Sequence, residues 1–121
     1  MIPVFDTNIL IDIGKGYEEA RLELARYKQV SISVITWIEV ISGVRSPSEK
    51  AVIQAFLQQF ITVPLTQEIA EAAADIRQRH RMKLPDAIIW ATATVRGTLL
   101  VTRNIKDFNP DEPTIRVPYK I

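Results

Sequence analysis

The sequence has 121 residues, of which 47% are hydrophobic and 24% are charged, a balance that is typical of one globular domain and excludes a fibrous or disordered chain. It contains no cysteine, which excludes disulfides, thiolate zinc sites and cysteine nucleophiles, and its single histidine disfavours histidine-based mechanisms. The formal net charge of +1 indicates that a nucleic acid would be bound only through local basic patches or bound cations.

No apolar run approaches the roughly 20 residues that a membrane helix requires. The apolar start of the chain is interrupted by Asp6 and lacks the organisation of a signal peptide. We therefore expect a single domain over residues 1–121 that is cytoplasmic and makes no membrane contact.

The first half of the chain alternates between strand and helix patterns. Residues 2–5 predict a buried strand, and Asp6, Thr7 and Asn8 then turn the chain into the apolar run 9–11. The next predicted elements are an amphipathic helix at 18–28, an alternating strand at 30–34 and an apolar helix at 35–44.

The second half continues this alternation. The segment Ser46-Pro47-Ser48 supplies a turn and an N-cap for a predicted helix at about 49–60, whose apolar stripe comprises Val52, Ile53, Phe56, Leu57 and Phe60. The remaining predicted elements are a strand at 61–65, a helix from 66 to 79, a helix from Pro85 to a stop at Gly97, a strand at 98–102 and an edge strand at 114–117. This order predicts an α/β fold, a three-layer α/β/α sandwich with a central, mainly parallel sheet of four or five strands.

Four acids stand at positions that call for an explanation. Asp6 and Asp107 follow predicted strands, Asp86 opens a helix, and Glu39 interrupts an apolar helix beside Thr36. Because ligands collect at the carboxyl edge of a parallel sheet, we expect the four acids to converge there. Each alone also has an ordinary explanation, since Asp6 and Asp86 suit helix caps and Glu39 and Asp107 suit solvent.

Taken together, the four acids favour a functional explanation over these ordinary ones. Clustered carboxylates raise one another's pKa unless a cation neutralises them. Oxygen ligands of this kind suit Mg²⁺ or Mn²⁺, which also bind phosphate oxygens and activate water. The set therefore predicts metal-dependent hydrolysis of phosphodiesters.

Four short motifs carry a resemblance to a known family. They are Asp6-Thr7-Asn8 after the first strand, Glu39 in the next apolar helix, Leu84-Pro85-Asp86-Ala87, and Thr102-Arg103-Asn104 with Asp107-Phe108. In order and spacing over nearly the whole chain, the sequence resembles the PIN-domain family, and within it the VapC-type toxins of type II toxin–antitoxin pairs.

The resemblance implies a Mg²⁺- or Mn²⁺-dependent endoribonuclease that forms a homodimer and is silenced by a small antitoxin. It also implies that Asp6, Glu39 and Asp86 bind metal and that Asp107 is the more variable fourth acid. By the same resemblance, four polar residues order the site: Thr7, Asn8, Thr102 and Asn104.

Basic residues near these motifs are candidates for RNA contacts. Arg103 and Lys106 flank Asn104 and Asp107, whereas the basic run 77–83 is interpreted as a solvated helix end. His80 is interpreted as a surface or helix-end residue, and nothing in the sequence places it near the acids. Trp37, Trp90 and Ile41 add apolar surface that suits either the core or an interface.

Other small α/β proteins fit less well. A receiver domain needs an acidic pair where Asp6 is followed by Thr7, and a haloacid-dehalogenase-like phosphatase needs aspartate where Asn8 stands. A dinucleotide-binding module needs a glycine-rich first turn, which is absent here. The alternative that stays open is a non-catalytic, PIN-like metal-binding scaffold that acts through protein contacts.

Overall fold

The computed structural model describes residues 1–120 and contains five strands and six helices there. Strands β1 to β5 span Val4–Phe5, Ser31–Ser33, Ile61–Val63, Leu100–Val101 and Ile115–Arg116. Helices α1 to α6 span Thr7–Gly14, Glu18–Ala25, Val34–Ser42, Pro47–Leu57, Gln67–His80 and Leu84–Val95. The strands form one sheet in the order β3-β2-β1-β4-β5, and every pairing is parallel. The predicted α/β fold with a parallel sheet is confirmed.

The two faces of the sheet carry separate apolar cores. Successive residues of a strand point to opposite faces, so Val4 and Leu100 pack on one side while Phe5 and Val101 pack on the other. Helices α5 and α6 cover the first side, and α1, α3 and α4 cover the second. The result is the expected three-layer sandwich, in which α6 is buried without interruption from residue 87 to residue 93.

Helix starts follow the sequence signals closely. The hydroxyl of Ser46 accepts a hydrogen bond from the Glu49 amide at 3.2 Å, as predicted, and Thr66 caps α5 in the same way. Pro85 occupies the first turn of α6, where a missing N–H costs nothing.

Two sequence predictions about helices are wrong in detail. The helix predicted at 18–28 ends at Ala25, because the Arg26 and Tyr27 amides donate to carbonyls three residues back and tighten the chain. Val52, a predicted member of the apolar stripe of α4, is 68% exposed. The buried stripe runs through Leu57 and Phe60, and Val52 lies on its outer flank.

Two acids that the sequence analysis did not single out are buried in ion pairs. Asp12 on α1 accepts hydrogen bonds from the guanidinium of Arg103 and from the hydroxyl of Tyr119. Glu23 on α2 is similarly paired with Arg116 of β5, at 2.8 and 2.9 Å. Burial alone would raise the pKa of both carboxyls, but these hydrogen bonds and the arginine charges hold each pKa below its usual value.

Every helix within residues 1–120 is too short or too polar to cross a lipid bilayer.

Candidate active site

Asp6 lies directly after β1 and caps the first helix of the chain. Its Oδ1 accepts a hydrogen bond from the Thr7 amide at 2.8 Å, and its extended backbone starts α1. Its Oδ2 accepts hydrogen bonds from the hydroxyl of Thr102 at 2.7 Å and from the side-chain amide of Asn8 at 3.2 Å. With 4% of its surface exposed, the carboxylate is held in a single orientation at the edge of the sheet.

The neighbouring strand β4 supplies the other side of this hydrogen-bond network. Because β1 and β4 are parallel and adjacent, their carboxyl ends meet, which places Thr102 beside Asp6. The Thr102 hydroxyl also accepts from the Asn104 amide at 3.0 Å, and Asn8 Oδ1 accepts from the Arg103 amide at 3.3 Å. Two segments that are far apart in the chain are therefore joined at the Asp6 carboxylate.

Glu39 reaches the same region from α3. The Thr7 hydroxyl donates to Glu39 Oε1 at 2.6 Å and lies 3.0 Å from the hydroxyl of Thr36, which is fully buried. Thr7 therefore connects the start of α1 with the acid of α3. Ser42, at the end of the same helix, donates to the carbonyl of Ile38 at 2.6 Å and takes no part in this contact.

Asp86 and Asp107 form the opposite side of the site. Asp86 lies in the first turn of α6, near enough to Asp107 for the charge of that carboxylate to raise the pKa of Asp86. Asn104 donates from its side-chain amide to Asp107 Oδ2 at 2.9 Å and accepts from the Asp107 backbone amide at 3.2 Å. This two-way contact closes the loop after β4 and fixes the position of Asp107.

The pKa shifts of Asp6 and Asp86 indicate that each of these two carboxyls lies in the field of neighbouring acids. Burial raises the pKa of Asp6 to about 6, and the charges of Asp86 and Glu39 add to the rise, although the hydrogen bonds from Thr102 and Thr7 oppose it. Burial also raises the pKa of Asp86, and the charges of Asp107 and Glu39 raise it further. These carboxylates therefore share one field that favours a bound cation.

The donor set fits a hydrated divalent ion better than a closed protein cage. Within residues 1–120, no three acidic or histidine side chains lie close enough together to hold an ion by themselves. Mg²⁺ keeps several of its waters and is commonly bound through one or two carboxylates. A purely oxygen-based set, in which the pKa values of Asp6 and Asp86 are raised, matches that chemistry.

The raised pKa of Asp6 predicts how the metal-free protein responds to pH. A carboxyl with a higher pKa in the folded than in the unfolded chain stabilises the fold below its unfolded value of 3.8, and this stabilisation is lost as the pH rises through about 6. In EDTA, we expect the free energy of unfolding to fall by about 2 kcal/mol between pH 4.5 and pH 7.5. Denaturant titrations at several pH values measure this, and Mn²⁺ at pH 7.5 should restore the loss.

The control for this measurement is Asp6→Asn, in which the pH dependence should decrease and only the part due to the raised pKa of Asp86 should remain. Asp12 and Glu23 do not interfere, because their lowered pKa values confine their contribution to a loss of stability below about pH 4.5. The same pH dependence in wild type and variant would contradict the assignment to Asp6.

Comparison with known proteins places these motifs in a family. A family model described as PIN domain matches residues 4–109. The chain belongs to the PIN-domain family. Among relatives, Ribonuclease VapC19 of Mycobacterium tuberculosis is 30% identical over 125 residues, which cover 96% of this chain and 98% of the relative. Ribonuclease VapC10 of the same organism is 31% identical over 124 residues, which cover 96% and 92% of the two chains.

Solved PIN-domain structures extend this similarity to the fold. A toxin–antitoxin complex from Klebsiella pneumoniae contains a chain that is 42% identical, with a TM-score of 0.92 and coverage of 98% of this chain and 99% of that one. DNA-bound VapBC from Salmonella typhimurium contains a chain that is 25% identical, with a TM-score of 0.79 and coverage of 96% of both. The expected resemblance to VapC-type PIN domains is confirmed.

The two basic residues that were predicted to bind RNA have different surroundings in the structure. The guanidinium of Arg103 forms an ion pair with Asp12, so two of its donors are already used. Lys106 stays exposed beside Asp107. His80, predicted to be a surface or helix-end residue, is exposed at the last position of α5 and borders the same cleft as Asp107.

Asp12 is the site-supporting residue that the sequence analysis missed. It lies between Ile11 and Ile13 on an apolar helix. It therefore carries the same signal that singled out Glu39, an acid that interrupts an apolar pattern.

Trp37, Trp90 and Ile41, for which the sequence allowed either the core or an interface, differ in their burial. Trp90 is buried in the core, whereas Trp37 and Ile41 are half-buried on α3.

Proposed function

We propose that the protein is a Mg²⁺- or Mn²⁺-dependent endoribonuclease and the toxin of a toxin–antitoxin pair. The observation that carries the proposal is the convergence of Asp6, Glu39, Asp86 and Asp107, from four separate elements, on one carboxyl edge of the sheet. Relatives named as ribonucleases support RNA as the substrate. Similar chains solved within toxin–antitoxin complexes support an antitoxin partner.

In this proposal each residue has a defined task. Asp6, Glu39, Asp86 and Asp107 hold the cation, which would supply an acidified water and a positive charge against the phosphate oxygens. Thr102 and Asn8 keep Asp6 in one orientation, while Thr7 does the same for Glu39. Asn104 fixes Asp107 against Asp86.

The chemistry predicts the products. Attack of water on the phosphorus, in line with the leaving oxygen, releases a 5′-phosphate and a 3′-hydroxyl, because the ribose 2′-hydroxyl is not the nucleophile. A ribonuclease that uses the 2′-hydroxyl would leave a cyclic phosphate instead. The end groups therefore identify the mechanism independently of the rate.

The proposed partners also have support on the surface. Ile11 and Ile38 are 43% and 49% exposed and flank the Thr7–Glu39 contact, which leaves an apolar border beside the acids for an antitoxin. The half-buried side chains of Trp37 and Ile41 provide further apolar surface for an antitoxin or for a second copy in a homodimer.

Incubation of purified protein with structured RNA tests this function. We expect cleavage with Mg²⁺ or Mn²⁺, none in EDTA, and 5′-phosphate ends on the downstream fragments, which a 5′-phosphate-dependent exonuclease degrades. Fragments with cyclic phosphate ends would contradict the metal mechanism. A protein that binds Mn²⁺ but cleaves no RNA would instead support the non-catalytic scaffold.

A further inference from the structure

A polar cleft of about 270 Å³ opens beside the acidic site. The turn between α5 and α6 forms one wall, and the loop after β4 forms the other. The residues that line it are His80, Arg81, Met82, Lys83, Lys106 and Asp107. The acidic site and this cleft share Asp107, so a ligand that fills one lies next to the other.

The basic groups of the cleft lack acidic partners. Within residues 1–120, neither Arg81, Lys83 nor Lys106 makes a salt bridge within 4 Å, whereas Arg103 and Arg116 are both paired with buried acids. Lys83 lies near enough to Asp86 to lower the pKa of that carboxyl, which places its charge at the border of the acidic site. Unpaired cations that face a shared cleft form a ready site for an anion.

The turn that presents these cations is held in place from several sides. Arg81 adopts left-handed backbone angles, φ 52° and ψ 40°, which a residue with a side chain rarely adopts unless its surroundings impose them. Arg77 donates from Nε to the Met82 carbonyl at 3.2 Å, and the Met82 side chain is buried. The conformation of the turn is therefore specified rather than left to solvent.

Trp90 connects the two walls. The ring of His80 lies over Trp90 with centroids 4.9 Å apart, and Phe108, the neighbour of Asp107, packs edge-on against Trp90 at 6.1 Å. The indole nitrogen of Trp90 donates to the Thr114 hydroxyl at 3.2 Å. One buried side chain thus sets the distance between the basic turn and the acidic loop.

We propose that this cleft binds the phosphate next to the scissile one in the RNA backbone. An RNA whose scissile phosphate lies at the acids passes Asp107 and brings its adjacent phosphate to Lys83, Lys106 and Arg81. The polar lining suits an anion, and its one aromatic ring, His80, packs against Trp90 at an angle of 54° between the ring planes. This inference rests on the proposed ribonuclease function and deepens it by locating the substrate.

A double variant, Lys83→Ala with Lys106→Ala, tests the cleft. Its matched control is Lys28→Ala, an exposed lysine that precedes β2 and so lies at the opposite, amino edge of the sheet. Anisotropy titrations of short single-stranded RNA in EDTA, over a range of salt concentrations, report binding without cleavage. We expect the plot of the logarithm of the association constant against the logarithm of the salt concentration to become less steep by about 1.4 in the double variant. This is about 0.7 for each phosphate that a lysine no longer neutralises. The slope should stay unchanged in Lys28→Ala.

Kinetics with minimal substrates give a second readout. A dinucleotide without terminal phosphates carries only the scissile phosphate, whereas the corresponding trinucleotide also carries an adjacent one. Wild type and Lys28→Ala should cleave the trinucleotide with a KM on the order of tenfold below that for the dinucleotide, and the double variant should lose this preference with kcat within about twofold. Equal preference in all three proteins would overturn the subsite.

The two proposals fail in different ways. If wild type cleaves RNA and the double variant keeps the salt slope and the trinucleotide preference, the subsite is refuted and the ribonuclease stands. If wild type cleaves nothing but the double variant loses the salt slope, the ribonuclease is refuted and the phosphate site stands. Unchanged melting temperatures of the variants establish that neither result comes from unfolding.

Discussion

Asp6→Asn should reduce RNA cleavage roughly a hundred- to a thousandfold while leaving the protein folded. Asparagine keeps the shape of the side chain and can still accept hydrogen bonds from Thr7 or Thr102 through its one oxygen. It removes the charge that a bound cation requires beside the other three acids. The measurement is the initial rate of cleavage with Mn²⁺, together with the melting temperature.

The matched control is Asp111→Asn, which makes the same chemical change at an exposed aspartate in the loop before β5. Its cleavage rate should equal that of wild type. In cells, expression of wild type without an antitoxin should arrest growth, and Asp6→Asn should not. Cleavage by Asp6→Asn at the wild-type rate would refute the metal mechanism and indicate a contaminating nuclease.

Asp12→Ala should lower the free energy of unfolding by about 3 kcal/mol at neutral pH. The substitution leaves the Arg103 guanidinium in a largely enclosed position without its carboxylate, and it also removes the acceptor of the Tyr119 hydroxyl. Because 32% of the Arg103 side chain is exposed, water compensates part of the loss, and we expect the lower end of the range for broken buried pairs. Denaturant titrations measure the effect.

Glu18→Ala provides the contrast. Glu18 pairs with Arg21 at 4.0 Å, but both side chains are about two-thirds exposed, so the substitution should cost less than about 1 kcal/mol. A double variant that also replaces Arg103 by methionine should recover part of the Asp12→Ala loss, because no unpaired charge is then buried. Equal effects of Asp12→Ala and Glu18→Ala would show that the buried pair stabilises the fold no more than a surface pair does.

The Asp12–Arg103 pair also has a consequence for catalysis. Arg103 follows Thr102, and its amide donates to Asn8, so its side chain fixes the segment that orients Asp6. Loss of the pair should therefore lower kcat even under conditions where Asp12→Ala is fully folded. Arg103, which the sequence analysis predicted as an RNA contact, therefore has a structural role in this arrangement.

The architecture was largely predictable because the signals that encode it are local. Strand and helix periods, Ser46 as an N-cap and Pro85 at a helix start are properties of neighbouring residues, and the predicted order of elements is the observed one. Element ends were less predictable. The segment 98–102 forms only a two-residue ladder, Leu100–Val101, because a strand ends where its neighbours stop pairing with it.

The sequence by itself determined the order of strands and helices, and from it the four candidate acids are predicted at one edge of the sheet. Each acid stands at a position defined by its own element: after a strand, at a helix start or within an apolar helix. In a parallel sheet such positions favour the carboxyl edge. Only the tertiary structure decided how the basic residues divide between the ion pairs and the cleft. Arg103 and Asp12 are separated by 91 positions, and no local pattern indicates that they form a buried pair while Lys83 and Lys106 face an open cleft.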